Sequence, residues 1–414
     1  MSSDDRTLLL IGATDTHLER AKASGLRIVL IQHPERVNPL QTGLADVLLM
    51  ADYTHWPTVR PLAEAARQIW GVDAVLSLTE GGLENAARLG RLFGLRGTPP
   101  EAARLLRDKA AMRRHLAAHG CPFTVESEPV VDRASLDTFG KLAGYPFIVK
   151  PTGTTAGYGV HRVDDEDGLD AAWQHVERLR GRHTDHGTSL FLVDEFLMEA
   201  YIDGPEFSVE GFSHAGRHTV VTITEKLVDE RHFAELGHAL PARLPAADRD
   251  AIVATVTEFL TVMGLSDGPS HTEIRLSGRG PVVIESHNRG GGDFIGELVR
   301  AAYGIDLTGH AVAWAAGTGT PLPADPQPLG AACVRFLTGE PGTVTAVGGT
   351  EELAERPGVL AARITAKPGD RVRPLRDNWD RLGFVAVRAD DTEAAVARCE
   401  RLIGDIRIDI DKSN

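Results

Sequence analysis

Cysteine is scarce in this chain: Cys121, Cys333 and Cys399 are the only 3 in 414 residues. A set so small, odd and scattered builds neither a disulfide framework nor a zinc site, and it suits a reducing cytoplasm, the expected location. Each is read as a small buried apolar residue rather than a nucleophile. Basic residues are also few: 44 Lys and Arg against 58 Asp and Glu leave a formal charge of −14. That balance argues against broad binding to nucleic acid or an anionic membrane. No apolar run approaches the roughly 20 residues of a membrane span. The opening MSSDDRTLLLIGA has no basic leader, so no signal peptide is expected. There is no internal repeat or low-complexity tract, and no Ser-His-Asp or Cys-His constellation.

The familiar nucleotide fingerprints are missing as well. The first strand-to-helix turn reads GATDTH, not G-x-G-x-x-G, which excludes the dinucleotide motif. Neither G-x-x-x-x-G-K-[ST] nor the kinase glycine loop occurs, so those two phosphate-binding folds are disfavoured.

What remains is an ordinary soluble composition, 42% hydrophobic and 25% charged, in a chain long enough for two or three domains. The first hundred residues alternate strand and helix as a parallel α/β unit does. Strands are expected at Thr7 to Ile11, Leu26 to Ile31, Ala45 to Met50 and Ala74 to Leu78. Helices are expected at Thr16 to Ser24, Val59 to Trp70 and Leu83 to Phe93. The turn Thr79-Glu80-Gly81-Gly82 falls at the carboxyl end of that sheet, where doubly wound folds bind ligands. Glu80 there is either a substrate contact or a carboxylate favoured by a helix N-terminus. Thr98-Pro99-Pro100 marks a boundary, followed by helices at Glu101 to Lys109 and Ala111 to His119.

Three stretches then carry chemistry. Tyr145-Pro-Phe-Ile-Val-Lys150-Pro151 ends an apolar strand on a lysine and runs into Thr152 to Gly159, a loop of Gly, Thr and Ala. Such a loop offers backbone N–H groups and hydroxyls with little bulk, as closing over a polyphosphate requires. A polar insertion spans His183 to Ser189, and a buried strand is expected over Ser189 to Asp194, running into Glu195-Phe196-Leu197. An alternating strand at Phe207 to Phe212 is continued antiparallel by His218 to Thr224, and a helix with a core-facing stripe spans Ala246 to Met263.

The third stretch is Ser270 to Ile295. His271, Glu273 and Arg275 share one face of a strand, and Val283 and Glu285 one face of the next. A three-residue loop of Gly278, Arg279 and Gly280 puts Glu273 opposite Glu285. Facing carboxylates destabilise a ladder, and a divalent cation between them relieves the penalty. Arg289 and the glycines after it add positive charge and bare backbone beside the pair, a set suited to a phosphorylated substrate. Helices are expected at Asp293 to Tyr303 and Leu307 to Gly317. A proline-rich linker (Pro321, Pro323, Pro326, Pro328) leads to short strands, a helix from Thr392 to Ile403 and a last strand.

The lysines Lys109 and Lys150, the glycine loop, the Glu-x-Leu segment and the two-glutamate hairpin together resemble the ATP-grasp superfamily. Within it the chain resembles the carboxylate–amine ligases of the L-amino acid ligase, or dipeptide synthetase, branch. The resemblance implies a fold of class α/β and α+β. Its parts would be a Rossmann-like domain at 1–98, an ATP-grasp domain at 99–325 with a mobile lid at about 124–196, and a small α+β domain at 326–414. It implies ATP and Mg²⁺, small carboxylate and amine substrates such as amino acids, and a homodimer. By the same resemblance Lys109 and Lys150 meet the nucleotide phosphates, and Thr154, Thr155, Ala156 and Gly157 lie in the covering loop. Glu195, Phe196 and Leu197 form the adenine hinge, with backbone groups of Glu195 and Leu197 facing the base, and Glu206 holds the ribose hydroxyls. Glu273 and Glu285 carry the metal, Arg289 steadies the substrate carboxylate or acyl phosphate, and Glu80 and His238 line the amino-acid pocket.

One departure stands out. The family reads E-x-N at the second metal glutamate, whereas this chain reads Glu285-Ser286-His287 with Asn288 displaced by one. Either His287 is accepted as a ligand, with Mn²⁺ in one site, or Asn288 reaches in through a bulge. The run from Leu197 to Glu206 is also longer than the family's usual hinge-to-ribose link. Competing readings are another ATP-grasp chemistry (a purine-pathway ligase or a biotin carboxylase type) and a non-catalytic nucleotide-binding protein.

Overall fold

The structure, a computed structural model, describes residues 6–183 and 192–412. Its first sheet is built on Thr7–Ile11, which is buried along its whole length. The strand order is Val47–Met50, Arg27–Gln32, Thr7–Ile11, Val72–Leu76, all parallel. Because side chains alternate along a strand, Leu9 and Ile11 pack against helices Trp56–Trp70 and Leu83–Phe93. Leu8 and Leu10 pack on the other side against Asp15–Ala23 and, from much later in the chain, Leu307–Ala315. That late helix ties the first hundred residues to the rest.

A second, four-stranded sheet has the order Ser127–Pro129, Phe196–Ala200, Phe147–Pro151, His161–Val163, all antiparallel. Helices Arg133–Ala143 and Leu169–Leu179 cover one face through Leu136, Phe139, Leu169 and Val176. Lys150 is the penultimate residue of Phe147–Pro151, and the glycine loop leaves from the end of that strand. Most of the polar insertion at 183–189, and the first part of the strand expected at Ser189 to Asp194, lie outside the described residues; Leu192–Val193 is the described remnant, paired with Arg182–His183.

The third sheet has eight antiparallel strands. In order they are Gly280–His287, Gly268–Ser277, Glu206–His214, Arg217–Val228, Glu235–Leu240, Ala331–Leu337, Gly383–Ala389 and Val359–Ile364. The Glu235–Leu240 strand was not foreseen in the sequence, yet it is the seam. It pairs with Arg217–Val228 on one side and with Ala331–Leu337 on the other, so the carboxy-terminal strands continue the central sheet. Ala246–Val262 backs the sheet through Ile252, Val256 and Phe259.

At the hairpin Glu273 does face Glu285, but by a different route from the one expected. Ser277 pairs with Gly280, leaving a two-residue loop, and the register slips by one between Glu273 and Ile274 because Ile284 is extra. A β-bulge, not a longer turn, brings the carboxylates opposite each other.

Candidate active site

Two clefts with shared lining lie between these sheets. The first, of about 880 Å³ with its open mouth, lies between the lid sheet and the central sheet. The second, of about 1940 Å³, lies between the central sheet and the amino-terminal sheet. They share a wall: Thr155, Ala156, Glu235, Glu273 and Glu285 line both.

Lys109 opens helix Lys109–Ala118 after the cap at Asp108. Its Nζ donates to the Thr154 carbonyl at 2.7 Å and meets Glu285 Oε2 at 2.8 Å. One lysine thereby joins the glycine loop to the hairpin. Thr154, Thr155, Ala156 and Gly157 all line the first cleft. Ala156 and Gly157 hold left-handed backbone, φ 62° and 71°, and a side chain at 157 would sit 3.2 Å from the Phe233 carbonyl. Gly157 suits both demands.

Lys150 lies in a buried triad that the sequence did not disclose. Its Nζ is 2.6 Å from Glu199 Oε2, while Arg113 Nε holds Glu199 Oε1 at 2.7 Å. Arg113 also donates to the Val283 and Ile284 carbonyls, at 2.7 and 3.1 Å. These carbonyls lie at the bulge, where Val283 pairs with Ile274 and Ile284 has no register partner. Burial pushes Lys150 down from the ordinary lysine range even with Glu199 beside it. For Glu199 burial acts upward, but Arg113 and Lys150 outweigh it and draw the carboxyl from 4.5 to about 2. A carboxyl lowered on folding stabilises the fold above its unfolded pKa, and that contribution is lost as pH falls through the folded one. Stability measured by denaturation should therefore drop between about pH 4.5 and 2, and Glu199→Gln should show less of this drop across the same window. A wild-type profile no steeper than that of the variant would contradict the assignment.

Lys226 is the second undisclosed centre. Its Nζ sits 2.9 Å from Glu206, 2.6 Å from Glu235 and 2.8 Å from Glu273, with its side chain 1% exposed. Burial works against its charge, yet the three carboxylates hold its pKa well above the ordinary lysine value. Glu206 lines the first cleft and also takes Arg275 Nε at 3.2 Å.

Glu195, Phe196 and Leu197 do not line the first cleft; Glu199, Ala200, Tyr201 and Ile202 do. The reason is pairing. Phe196 is buried in the lid core, and Leu197 is laddered on both sides, to Lys150 and to Pro129. The chain is released toward the cleft only where the strand ends at Ala200. The link to Glu206 is correspondingly shorter than it looked.

On the second cleft, Glu80 is buried at the start of a short 3₁₀ turn and is fully engaged. It meets His287 Nδ1 at 3.1 Å and Arg289 Nε at 2.7 Å. Burial alone would raise its carboxyl, but His287 and Arg289 hold it below the usual range. Glu80 thus orients Arg289 and is not an open acceptor. His238 lines neither cleft: it is 0% exposed behind Glu235 and Asp293, 3.9 and 3.8 Å from their carboxylates, and among the described residues neither ring nitrogen has a partner at hydrogen-bond distance. Glu235, His238 and Asp293 could bracket a cation, their ligand atoms lying within 4.8 Å of one another. Arg381, however, already takes both Asp293 oxygens, and Lys226 and Asn378 take those of Glu235.

The two glutamates fit a divalent cation. Burial alone would raise both carboxyls; Lys226 and His271 hold Glu273 below the usual range, while Lys109 and His287 hold Glu285 well below it. Both are therefore ionised oxygen donors on a shared wall, as a hard cation prefers. His271 is not a ligand of that kind. Burial opposes its charge, but Glu210 at 2.7 Å and Glu273 at 3.3 Å raise it to about 10, so its ring donates to both. His287 lines the second cleft with Nε2 at 3.1 Å from Glu285. Asn288 faces away from both clefts, its buried Oδ1 without a hydrogen-bond partner among the described residues. Among the described residues no helix is long and apolar enough to cross a membrane.

Comparison with known proteins adds the following. Residues 143–297 match a family model described as the ATP-grasp domain, and residues 335–411 match one described as L-amino acid ligase C-terminal domain 2. The chain is 28% identical over 337 residues to an uncharacterised protein, y4rH, of Sinorhizobium fredii, covering 81% of this chain and 68% of that one. It is 27% identical over 343 residues to carnosine synthase 1 of Gallus gallus, covering 78% of this chain but only 37% of that protein. A solved L-amino acid ligase from Bacillus licheniformis aligns with a TM-score of 0.82 over 99% of this chain and 100% of that one, at 23% identity, a likeness of fold.

Proposed function

From the premise that this chain carries an ATP-grasp domain followed by an L-amino acid ligase C-terminal domain, we propose that it is an ATP-dependent ligase joining a small-molecule carboxylate to an amine, with amino acids as the substrates. The observation that carries the reading is the shared wall. Glu273 and Glu285 line the glycine-loop cleft on one side and the larger cleft beside the amino-terminal sheet on the other. A phosphoryl group can therefore pass from one occupant to the other without either leaving.

The reaction has two steps. An oxygen of the substrate carboxylate attacks the γ-phosphorus of ATP, and the bond from that phosphorus to the bridging oxygen breaks, giving an acyl phosphate and ADP. The amine nitrogen then forms the C–N bond, phosphate leaves with the C–O electron pair, and the proton shed by the amine goes to the released phosphate. No covalent enzyme nucleophile is needed. Mg²⁺ held by Glu273 and Glu285, with His287 beside them, would neutralise the terminal phosphates.

The chain's own work is placement and fixed charge. Lys109 and Lys150 supply cations where the phosphates lie, and the backbone of Thr154 to Gly157 covers them. Glu206 receives the ribose hydroxyls, and the Glu199–Ile202 stretch faces the base. Arg289, braced by Glu80, holds the oxygens of the acyl group, and the glycines after it admit the substrate close to the backbone.

A screen of ADP release over amino acids and other small carboxylates, singly and in pairs, tests this. Stimulation by amino acids is expected, with a product whose mass is two substrates minus water. Stimulation by bicarbonate alone would point to a carboxylase, and no product from any pair would overturn the ligase reading.

A further inference from the structure

The proposed reaction leaves part of the second cleft's lining unused, and that part carries a charge set in place by other side chains. Gln32, buried, donates its Nε2 to the Ala13 carbonyl at 2.8 Å and to Gln41 Oε1 at 3.1 Å. This fixes the Gln41 amide, whose Nε2 then donates to Asp15 Oδ1 at 2.8 Å. Asn38 is fixed too, because its Oδ1 accepts from the Gln41 backbone at 2.9 Å while its Nδ2 donates to the same Asp15 oxygen at 2.8 Å. Two oriented amides thus converge on one carboxylate oxygen. Asp15 Oδ2 takes no hydrogen bond among the described residues.

Asp15 stands apart from every other carboxylate on that lining. Glu80 is matched to Arg289, Glu235 and Glu273 to Lys226, Glu285 to Lys109 and Asp293 to Arg381. Asp15 alone has only neutral hydrogen-bond partners and, among the described residues, no ion pair. His17 beside it adds no opposing charge near neutral pH, because burial and then Arg289 push its imidazole down to about 4. Its Nδ1 accepts from the Thr14 backbone, which leaves Nε2 as the ring donor. Arg36 lines the same cleft, its side chain in no hydrogen bond or ion pair among the described residues, which favours a ligand bearing both signs of charge over a free polyamine.

We propose that Asp15, held by Asn38 and Gln41, receives the protonated amino group that an amino-acid substrate keeps through the reaction. The inference rests on the ligase reading and assigns the residue that recognises the carboxylate donor's own, unreacted amine. A charge-assisted hydrogen bond contributes about 1.5–3 kcal/mol, which is about 10- to 100-fold in KM.

The test compares an amino acid that supports turnover with its des-amino analogue, in the full-length wild type and in Asp15→Asn. The wild type should show a KM about 10- to 100-fold higher for the analogue. Asp15→Asn should raise KM for the amino acid by that factor at nearly constant kcat, and should leave the analogue's KM unchanged. Gln41→Ala, which removes one amide from Asp15, should give a smaller rise in the same direction; it carries the test if Asp15→Asn fails to fold. Ligation with equal effects on both substrates, or with none, overturns the subsite and leaves the ligase reading standing. Absence of any ligation by the wild type overturns both.

Discussion

Glu285→Gln should fold as the wild type does and release ADP about 10²- to 10³-fold more slowly at saturating ATP and Mg²⁺, the usual cost of removing one preorganised charge from a phosphoryl-transfer site. The substitution keeps the shape of the side chain and takes away only its charge. In the structure that charge is surrounded by Lys109 at 2.8 Å and His287 at 3.1 Å, and it faces Glu273 across the bulged ladder. A neutral amide cannot complete a two-carboxylate cation site, and it leaves Lys109 without its counter-ion. The effect should therefore fall on turnover, with circular dichroism unchanged. Undiminished ADP release would remove Glu285 from the metal site and with it the shared-wall argument.

Lys226→Met should cost about 3–5 kcal/mol of stability, the range for stripping one partner from a buried ionic cluster. Three carboxylates from three strands, Glu206, Glu235 and Glu273, converge within 2.9 Å of the Lys226 ammonium. Methionine fills the stem's volume but leaves those acids facing each other in a poorly solvated space. The measurement is the denaturant midpoint in the absence of nucleotide and metal. A midpoint equal to that of the wild type would mean that the three glutamates protonate or rehydrate at little cost, and that the lysine is not what holds them.

How much of this was written in the sequence depends on how far apart the interacting residues lie. Short-range pattern served well. The helix expected at Leu83 to Phe93 is found there, and Thr7 to Ile11 is the expected strand. Glu273 and Glu285 were matched correctly because both lie on one hairpin, although the bulge at Ile284 has no signature in VVIES. Lys226 was invisible by contrast: its partners come from three other strands, and locally it reads as an ordinary lysine in an alternating run. Arg113 had a signal that could have been used. Lys109, Met112, Arg113 and Leu116 recur at helical spacing and are all buried, so Arg113 sits on the inward face among apolar residues rather than in the solvated set around it. The stretch expected to face adenine misses the first cleft for a related reason. Glu195-Phe196-Leu197 offers a Glu-x-Leu pattern, but whether a backbone is free depends on strand pairing, which the pattern does not encode. Glu199, just before the Gly204-Pro205 turn, was the more informative glutamate.

The Arg113 side chain bears on how the two halves of the first cleft can move. Among the described residues no strand is shared by the four-stranded antiparallel sheet and the eight-stranded sheet, so no backbone ladder joins them. Arg113 grips Glu199 on one and the Val283 and Ile284 carbonyls on the other. Any swing that widens the cleft must turn about this guanidinium or break it loose. Lys109, which joins the Thr154 carbonyl to Glu285, would have to give way in the same displacement.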